Sequence, residues 1–570
     1  MYNNDLKNIE YAKRLLKNTP GTENERLLTV EEAELECVPL NELSCVPYNF
    51  LILGTTKKDG KIYAILSNLT HTMSIGSTGT GKTTKISYSL VISFIMQGRS
   101  NLVVFDNKLE LYGMLANTAK EQGYTVRLIN TKNYMNMKNT EKYNPLFAPS
   151  KKYVESIKKI GEGLKEEQLG GNRKKYYYKN KTYSSKKALV EAYQKEKDDI
   201  DSRYSSEMTR CVSNLMPIES TKDPHWERSG LKATVGLGIA LGEDLLALDD
   251  NRRTTLSQIN FYNIKKIFES FDVGRRGSLD DRGFLKNRGT KSKAYNLMRR
   301  DYFDNADVTS RNHIGFAEES LEKINSKAFM DLTMVSTVDF KEFVNSEKQI
   351  LFIAYDETNK IDTALTNLLV DDIIITAQAE ADKRKELKLK HPLQIVIDEF
   401  ATLPKNMELV DGLTKSRSRD IHYHIVIQSE AQLQEKYGVS KDVIISNCNH
   451  IFFLGTNDYV TVKNMSTRFG EKTDIALESI CNPKSNIAFT RRPVVSCSEL
   501  KSGTKNGEVY IFRALGSGIK SAFVPSYEYP NADENKASFL DYSVEFDERN
   551  VYYDVSKIKN DDEDDDDDLF

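Results

Sequence analysis

Gly76-Ser77-Thr78-Gly79-Thr80-Gly81-Lys82-Thr83 matches the pattern G-x-x-x-x-G-K-[ST] at every fixed position. Glycines at these spacings let the backbone turn so that successive N–H groups converge on one anionic point, which bulkier residues would prevent. A lysine at position 82 reaches toward β- and γ-phosphates, and the Thr83 hydroxyl is suited to complete a Mg²⁺ shell. The candidate nucleotide-binding set is therefore Gly76, Ser77, Thr78, Gly79, Thr80, Gly81, Lys82 and Thr83, with Thr84 beside it. The flanks agree. His71-Thr72-Met73-Ser74-Ile75 reads as a short strand entering the loop, and Lys85 to Gln97 reads as a helix whose positive N-terminal end faces the phosphates. A plain glycine-rich surface turn would not need Lys82-Thr83 at a helix mouth.

The chain has 570 residues, room for two to four domains, and a formal net charge of −3. Asp561 to Asp568 is an unbroken run of eight acids, and without it the rest of the chain carries +5. Such a run repels itself, and its composition suits a solubilising tail as well as an interaction or autoinhibitory one. Cysteines at 37, 45, 211, 448, 481 and 497 form no C-x-x-C pair and have no His at zinc spacing. This favours a reducing compartment over a disulfide or metal framework. Met1 to Leu16 is too polar for a secretory signal, and the apolar stretch Ile86 to Gly98 is too short to cross a bilayer. The expectation is a cytoplasmic protein with no intrinsic transmembrane segment.

Two blocks alternate between apolar strand runs and helical patterns. The first holds Asn101-Leu102-Val103-Val104-Phe105, ending at Asp106, and Tyr124 to Ile129; the second holds Ile350 to Ala354, Gln394 to Ile397, His424 to Ile427 and His450 to Leu454. That alternation predicts an α/β fold with a mostly parallel sheet covered by helices on both faces. Between the blocks lies a Lys-, Arg-, Tyr- and Asp-rich interval with helical stretches. The domain reading is an N-terminal segment at 1–45, a phosphate-loop NTPase domain from 46–148 and 346–545, an inserted helical domain at 149–345, and a disordered acidic tail at 546–570.

Ile395-Val396-Ile397-Asp398-Glu399 is an apolar strand ending in two carboxylates. In a parallel sheet the C-terminal strand ends form the ligand edge, the edge from which a phosphate loop also emerges. There Asp398 is suited to hold Mg²⁺ and Glu399 to polarise an attacking water. The strand His424 to Ile427 ends in Gln428-Ser429, and a glutamine at that edge can touch a γ-phosphate or orient the water. Lys415-Ser416-Arg417-Ser418-Arg419 supplies arginines of the kind that stabilise charge on a transferring phosphoryl group. The same pair also reads as solvated cations compensating a helix C-terminus, and the residues alone leave both readings open.

Beyond these elements the chain resembles the coupling ATPases of type IV secretion and conjugation, whose motor looks like that of the RecA/FtsK-type hexameric translocases. The resemblance runs through Thr70 to Thr84, Asp106-Asn107-Lys108-Leu109-Glu110-Leu111-Tyr112, Asn144-Pro145-Leu146-Phe147 and Asp398-Glu399-Phe400-Ala401. It continues through Ser416-Arg417-Ser418-Arg419, Gln428 to Leu433, and Asn447-Cys448-Asn449 to Asp458. It implies a RecA-like domain with an inserted all-α domain, ATP and Mg²⁺ as cofactors, and a homo-hexamer. It further implies that relaxase-bound single-stranded DNA is received and driven toward a channel with its own ATPase and membrane components. By motif, Lys82 and Thr83 hold nucleotide and metal, Asp398 and Glu399 are the acidic pair, Gln428 is the sensor and Arg417 is a trans-acting arginine finger, with Arg419 as the alternative. Recruitment to the inner face of the membrane would fall to partner proteins.

The chain departs from that family in three respects, one being that the stretch 150–220 is longer than the family implies, with room for a binding module of its own lineage. No paired hydrophobic N-terminal helices are present, and Asp106-Asn107-Lys108 stands where Pro-Lys-Gly is usual, leaving the role of Lys108 open. Two basic clusters are candidates for single-stranded DNA, where cations meet phosphates and rings stack on bases. One runs from Arg275 to Arg300 and includes Arg288; the other runs from Arg173 to Lys187, interleaved with Tyr176, Tyr177, Tyr178 and Tyr183. Solvated faces are the plainer reading of both. A double-stranded DNA motor and a substrate-receptor adaptor that uses ATP as a conformational switch are the alternative functions.

Overall fold

The structure of the chain, a computed structural model, describes residues 26–132, 139–169, 173–179, 181–218, 225–247, 253–270, 284–304, 307–322, 324, 326–475, 489–501, 508–529, 536–544 and 551–554. The acidic run at 561–568, the polar stretch 1–16, Cys481, Arg275, Arg276 and Arg282 lie outside the described residues.

The chain divides into two compact units. The first comprises residues 1–128, 340–354 and 373–541, and is built on a nine-stranded sheet. Its strands run in the order Ile519–Ala522, Glu508–Arg513, His450–Gly455, Thr72–Gly76, Ile421–Ile427, Leu393–Ile397, Asn101–Phe105, Gln349–Ala354 and Thr125–Asn130. The six from His450–Gly455 through Gln349–Ala354 pair in parallel, and the two at the His450 side join antiparallel. Every residue of Thr72–Gly76, Asn101–Phe105 and Leu393–Ile397 is buried, as strands covered on both faces must be. A mostly parallel α/β sheet is thus what the apolar runs specify.

The sequence reading placed no strands before His71, yet a second small sheet lies there. Phe50–Lys58 and Lys61–Asn68 form a hairpin whose turn residues Asp59 and Gly60 both have positive φ, 50° and 73°. That is the backbone a two-residue hairpin needs. Cys37–Pro39, assigned to the N-terminal segment by composition, pairs antiparallel with Lys61–Asn68.

The second unit comprises residues 129–339, 355–372 and 542–570, and its described part is chiefly helical. Its long helices are Phe147–Glu162, Lys186–Leu215, His225–Asp244 and Asp307–Glu322. The interval 149–345 is nonetheless not purely helical. Leu164–Leu169, Arg173–Tyr178 and Lys181–Tyr183 form a three-stranded antiparallel sheet that runs straight through the second basic cluster. A run of lysines and tyrosines gives no apolar alternation, so these strands leave no period-two signal. Within the sheet Tyr178 is buried, and its hydroxyl donates to Glu196, which also pairs with Lys179.

Helix His225–Asp244 sits close to its neighbours. A Cβ on Gly242 would lie 2.3 Å from the Tyr204 hydroxyl oxygen, so no larger residue fits. Trp226 at its start stacks on Phe316 with ring centroids 5.2 Å apart. Arg288, a member of the first basic cluster, belongs to this core rather than to a solvated face. Its guanidinium donates to both Asp244 oxygens, at 2.8 and 2.5 Å, and to the Ala240 carbonyl at 3.2 Å. The two side chains are 2% and 1% exposed. Arg288→Ala should therefore strand a buried carboxylate and cost about 3–5 kcal/mol of unfolding free energy, measurable by denaturant titration. An unchanged midpoint would disprove the core role.

Candidate phosphate and metal site

Register places the candidate residues on one rim. Ile427 pairs with Ile75 and Ile425 with Ile397, so Gln428, the glycine loop and Asp398 all leave the sheet at C-terminal strand ends. The strand carrying Gln428 lies between the loop strand and the Asp398 strand.

The loop itself is a compact turn. Gly79 and Gly81 adopt φ +82° and +86°, which side-chain-bearing residues rarely take. Gly76 leaves no room for a Cβ, which would sit 2.6 Å from Thr80 Oγ1. The Ser77 N–H donates to the Gly455 carbonyl at 2.9 Å, and the Ser77 hydroxyl reaches Thr456 Oγ1 at 3.4 Å, so the neighbouring strand end braces the loop. Thr80 Oγ1 closes the turn onto Ser77 O at 2.8 Å. Lys82 folds over it, donating to Gly76 O at 2.6 Å and Ser77 O at 3.0 Å. Thr78 and Gly79 are exposed at the tip, and Thr84 is half-buried beside Thr83. The helix after the loop begins as a wider turn over Lys82–Ser87 before the α-helix Tyr88–Gln97.

Asp398 is buried, and both its oxygens are occupied. Thr83 Oγ1 donates to Oδ2 at 2.7 Å, and Ser87 Oγ, four residues later on the same helix face, donates to Oδ1 at 2.5 Å. Burial pushes its carboxyl above the usual range, while those two donors pull it back. Lys82 is shifted down by burial, against the pull of Asp398 and Glu399. Glu399 is 26% exposed and bonds the Lys108 ammonium at 3.0 Å. Asp106 ends the adjoining strand and accepts from the N–H groups of Glu110 at 3.1 Å and Tyr112 at 2.7 Å. Burial pushes its carboxyl up to about 7 in spite of those bonds.

These donors fit Mg²⁺. Among the described residues there is no cluster of three or more His, Cys, Asp or Glu side chains able to cage an ion. One carboxylate and one hydroxyl beside a phosphate cradle is the set expected when a small hard cation keeps its waters and shares the ligand's phosphates. The open glycine tip and Lys82 fit the phosphates themselves.

Arg417 is not part of this rim. It precedes strand Ile421–Ile427 and so sits at the opposite strand ends, about 20 Å away at roughly 3.3 Å per residue. Arg419 is tied down, with Nε and one terminal nitrogen donating to the two Asp382 oxygens at 2.7 and 3.1 Å. Arg417 is exposed, and its guanidinium has no hydrogen-bond or ion-pair partner among the described residues. Burial, aided by the Arg417 charge, holds His71 down at about 4, so this neighbour is neutral near pH 7.

Residue patterns alone did not single out Ser87 or the brace from Gly455 and Thr456. Ser87 had a usable signal, since it stands at i+4 from Thr83. The brace had none, because it joins positions nearly 380 residues apart.

Loop, acidic strand end and sheet order together define a phosphate-loop α/β fold of the RecA-like class. Residues 10–495 match the family described as Type IV secretory system Conjugative DNA transfer, and the chain belongs to that family. The unbound monoclinic form of the bacterial conjugative coupling protein TrwBdeltaN70 is similar in fold. Its TM-score is 0.53 at 15% identity, over 88% of this chain and 94% of that one. Plasmid coupling protein TrwB in complex with the non-hydrolysable ATP analogue ADPNP gives 0.49 at 16% identity, over 88% and 94%. VirB4 of Thermoanaerobacter pseudethanolicus gives 0.40 at 12% identity, over 84% and 97%. No curated protein sequence matches the chain. No helix among the described residues is long and apolar enough to cross a membrane.

Proposed function

We propose that this chain is the ATP-hydrolysing coupling protein of a conjugative type IV secretion system, handing relaxase-bound single-stranded DNA to the transfer channel and driving its passage. The observation that carries the reading is the Thr83–Asp398–Ser87 constellation, with Glu399 beside it, at the rim from which the glycine loop emerges. Membership in the conjugative DNA-transfer family supports the direction in which the hydrolysis is used.

In this mechanism the backbone of Gly76 to Gly81 and the Lys82 ammonium hold the phosphates of ATP. Thr83 and Asp398 would hold Mg²⁺, which when bound would neutralise charge on the phosphates. Glu399 takes a proton from the attacking water as its oxygen closes on the γ-phosphorus, and ADP is the leaving group. Gln428, on the strand between loop and acidic pair, orients that water. Arg417 completes the neighbouring protomer's site in a homo-hexamer; its exposure supports it over Arg419, whose guanidinium Asp382 already holds.

The test is the ATPase rate of the intact chain with and without single- and double-stranded DNA. Single-stranded DNA should raise the rate several-fold. Preferential stimulation by duplex would favour a double-stranded DNA motor. Indifference to either would favour a substrate-receptor adaptor that spends ATP on a conformational switch.

A further inference from the structure

We propose that Lys108 is a second phosphate-contacting lysine, which trades its bond to Glu399 for the terminal phosphate of ATP and so releases the catalytic carboxylate only when a triphosphate is bound. The proposal rests on the ATPase reading above and adds to it a sensing residue.

The first support is where the ammonium sits. Lys108 Nζ lies 3.0 Å from Glu399 Oε1, and its side chain is 60% exposed. Its positive charge is felt at Lys82, so two ammonium groups converge on the rim that carries Asp398 and Glu399. The two lysines offset part of the negative charge that Asp398, Glu399, Glu110 and Asp106 bring to that rim.

The second support is how the lysine is held there. On its N-terminal side Asp106 is buried and fixed by the N–H groups of Glu110 and Tyr112. On its C-terminal side Leu109 takes a left-handed conformation with φ 58° and ψ 25°, a strained choice for a branched apolar residue. Tyr112 anchors the following helix by packing edge-on against Phe352, with centroids 5.3 Å apart. A turn strained and pinned in this way sets the direction of the residue between its anchors, and such strain gathers where function needs it. An exposed ion pair adds little to folding stability, so stability does not account for the arrangement.

The exchange follows from charge. Glu399 offers Lys108 one negative charge, whereas a terminal phosphate offers more charge on three oxygens and is the stronger partner for the same ammonium. While Glu399 Oε1 accepts from Lys108, that oxygen is not free to accept from a water. Lys108 remains protonated throughout, so the exchange moves a bond and no proton. ADP, lacking the γ-phosphate, leaves the Lys108–Glu399 pair in place.

The experiment uses the full chain with Mg²⁺ and fluorescent ADP or a fluorescent non-hydrolysable ATP analogue, each titrated against the parent, Lys108→Ala and Lys108→Arg. Lys108→Ala should weaken the triphosphate analogue about tenfold, leave ADP within about twofold, and lower kcat by about tenfold or more. Lys108→Arg should recover most of the triphosphate preference. Glu399→Gln should tighten the analogue about threefold in the parent and not in the Lys108→Ala background, since only Lys108 links the two. An unchanged ratio of triphosphate to diphosphate affinity in Lys108→Ala, or equal tightening in both backgrounds, overturns the proposal. If the parent binds neither nucleotide, the ATPase reading fails with it.

Discussion

Glu399→Gln should bind ATP at least as tightly as the parent and hydrolyse it about a thousandfold more slowly, within the range seen for loss of a general base. The substitution keeps size and hydrogen bonding but removes the group that accepts the proton from water. Binding should survive because the proposed phosphate contacts fall to the loop and Lys82, whose hydrogen bonds do not involve residue 399. Folding survives because Glu399 is partly exposed and its ion pair with Lys108 is with an exposed partner. Asp398→Asn would be a poorer test, since both its oxygens are engaged and a fall in rate would mix lost metal affinity with a displaced helix. Equilibrium nucleotide binding alongside single-turnover hydrolysis separates the two effects. Hydrolysis by Glu399→Gln within tenfold of the parent would remove Glu399 from the chemistry.

Arg417→Ala should lower the DNA-stimulated rate by a factor of about 10³ or more, the scale on which trans-acting arginines operate. The geometry makes the reason specific. Arg417 is at the wrong end of strand Ile421–Ile427 to reach its own loop, yet it is exposed, and no partner among the described residues holds it back. In the proposed ring, it would reach a neighbouring copy's phosphate site instead. Lys82→Ala subunits lack the phosphate lysine but keep Arg417. Mixing the two inactive chains should therefore restore part of the activity at mixed interfaces. Arg419→Ala should instead leave the rate near the parent's, since Asp382 already holds that guanidinium, and change stability little, the pair being exposed. If the mixture is as inactive as its components, Arg417 does not act across an interface.

Much of the site was legible because its signals are local. The glycine loop states its own backbone requirement. The continuous apolar runs at Asn101–Phe105 and Leu393–Ile397 announce strands buried on both faces, and an acidic pair ending such a run falls on the ligand edge by the geometry of parallel sheets. Signals that depend on distant partners were not legible. Arg288 looks like one more cation in a basic cluster until Asp244, 44 residues upstream, is seen to neutralise it inside the core. The strands at 164–183 carry lysines and tyrosines where a half-buried strand would alternate, so composition hid them. Arg417 and Arg419 are chemically alike and two residues apart; only Asp382, brought in from another part of the chain, separates them.

The amino-acid sequence alone determined the phosphate loop, the acidic strand end and the α/β class, because each follows from backbone freedom, burial and strand polarity within a dozen residues. Tertiary structure decided which strands stand side by side, that Ser87 completes the hold on Asp398, that Lys108 meets Glu399, and that Arg417 faces away from its own site. Those outcomes depend on register and packing between segments hundreds of residues apart, where the free energy of the whole sheet, and no local preference, selects the partner.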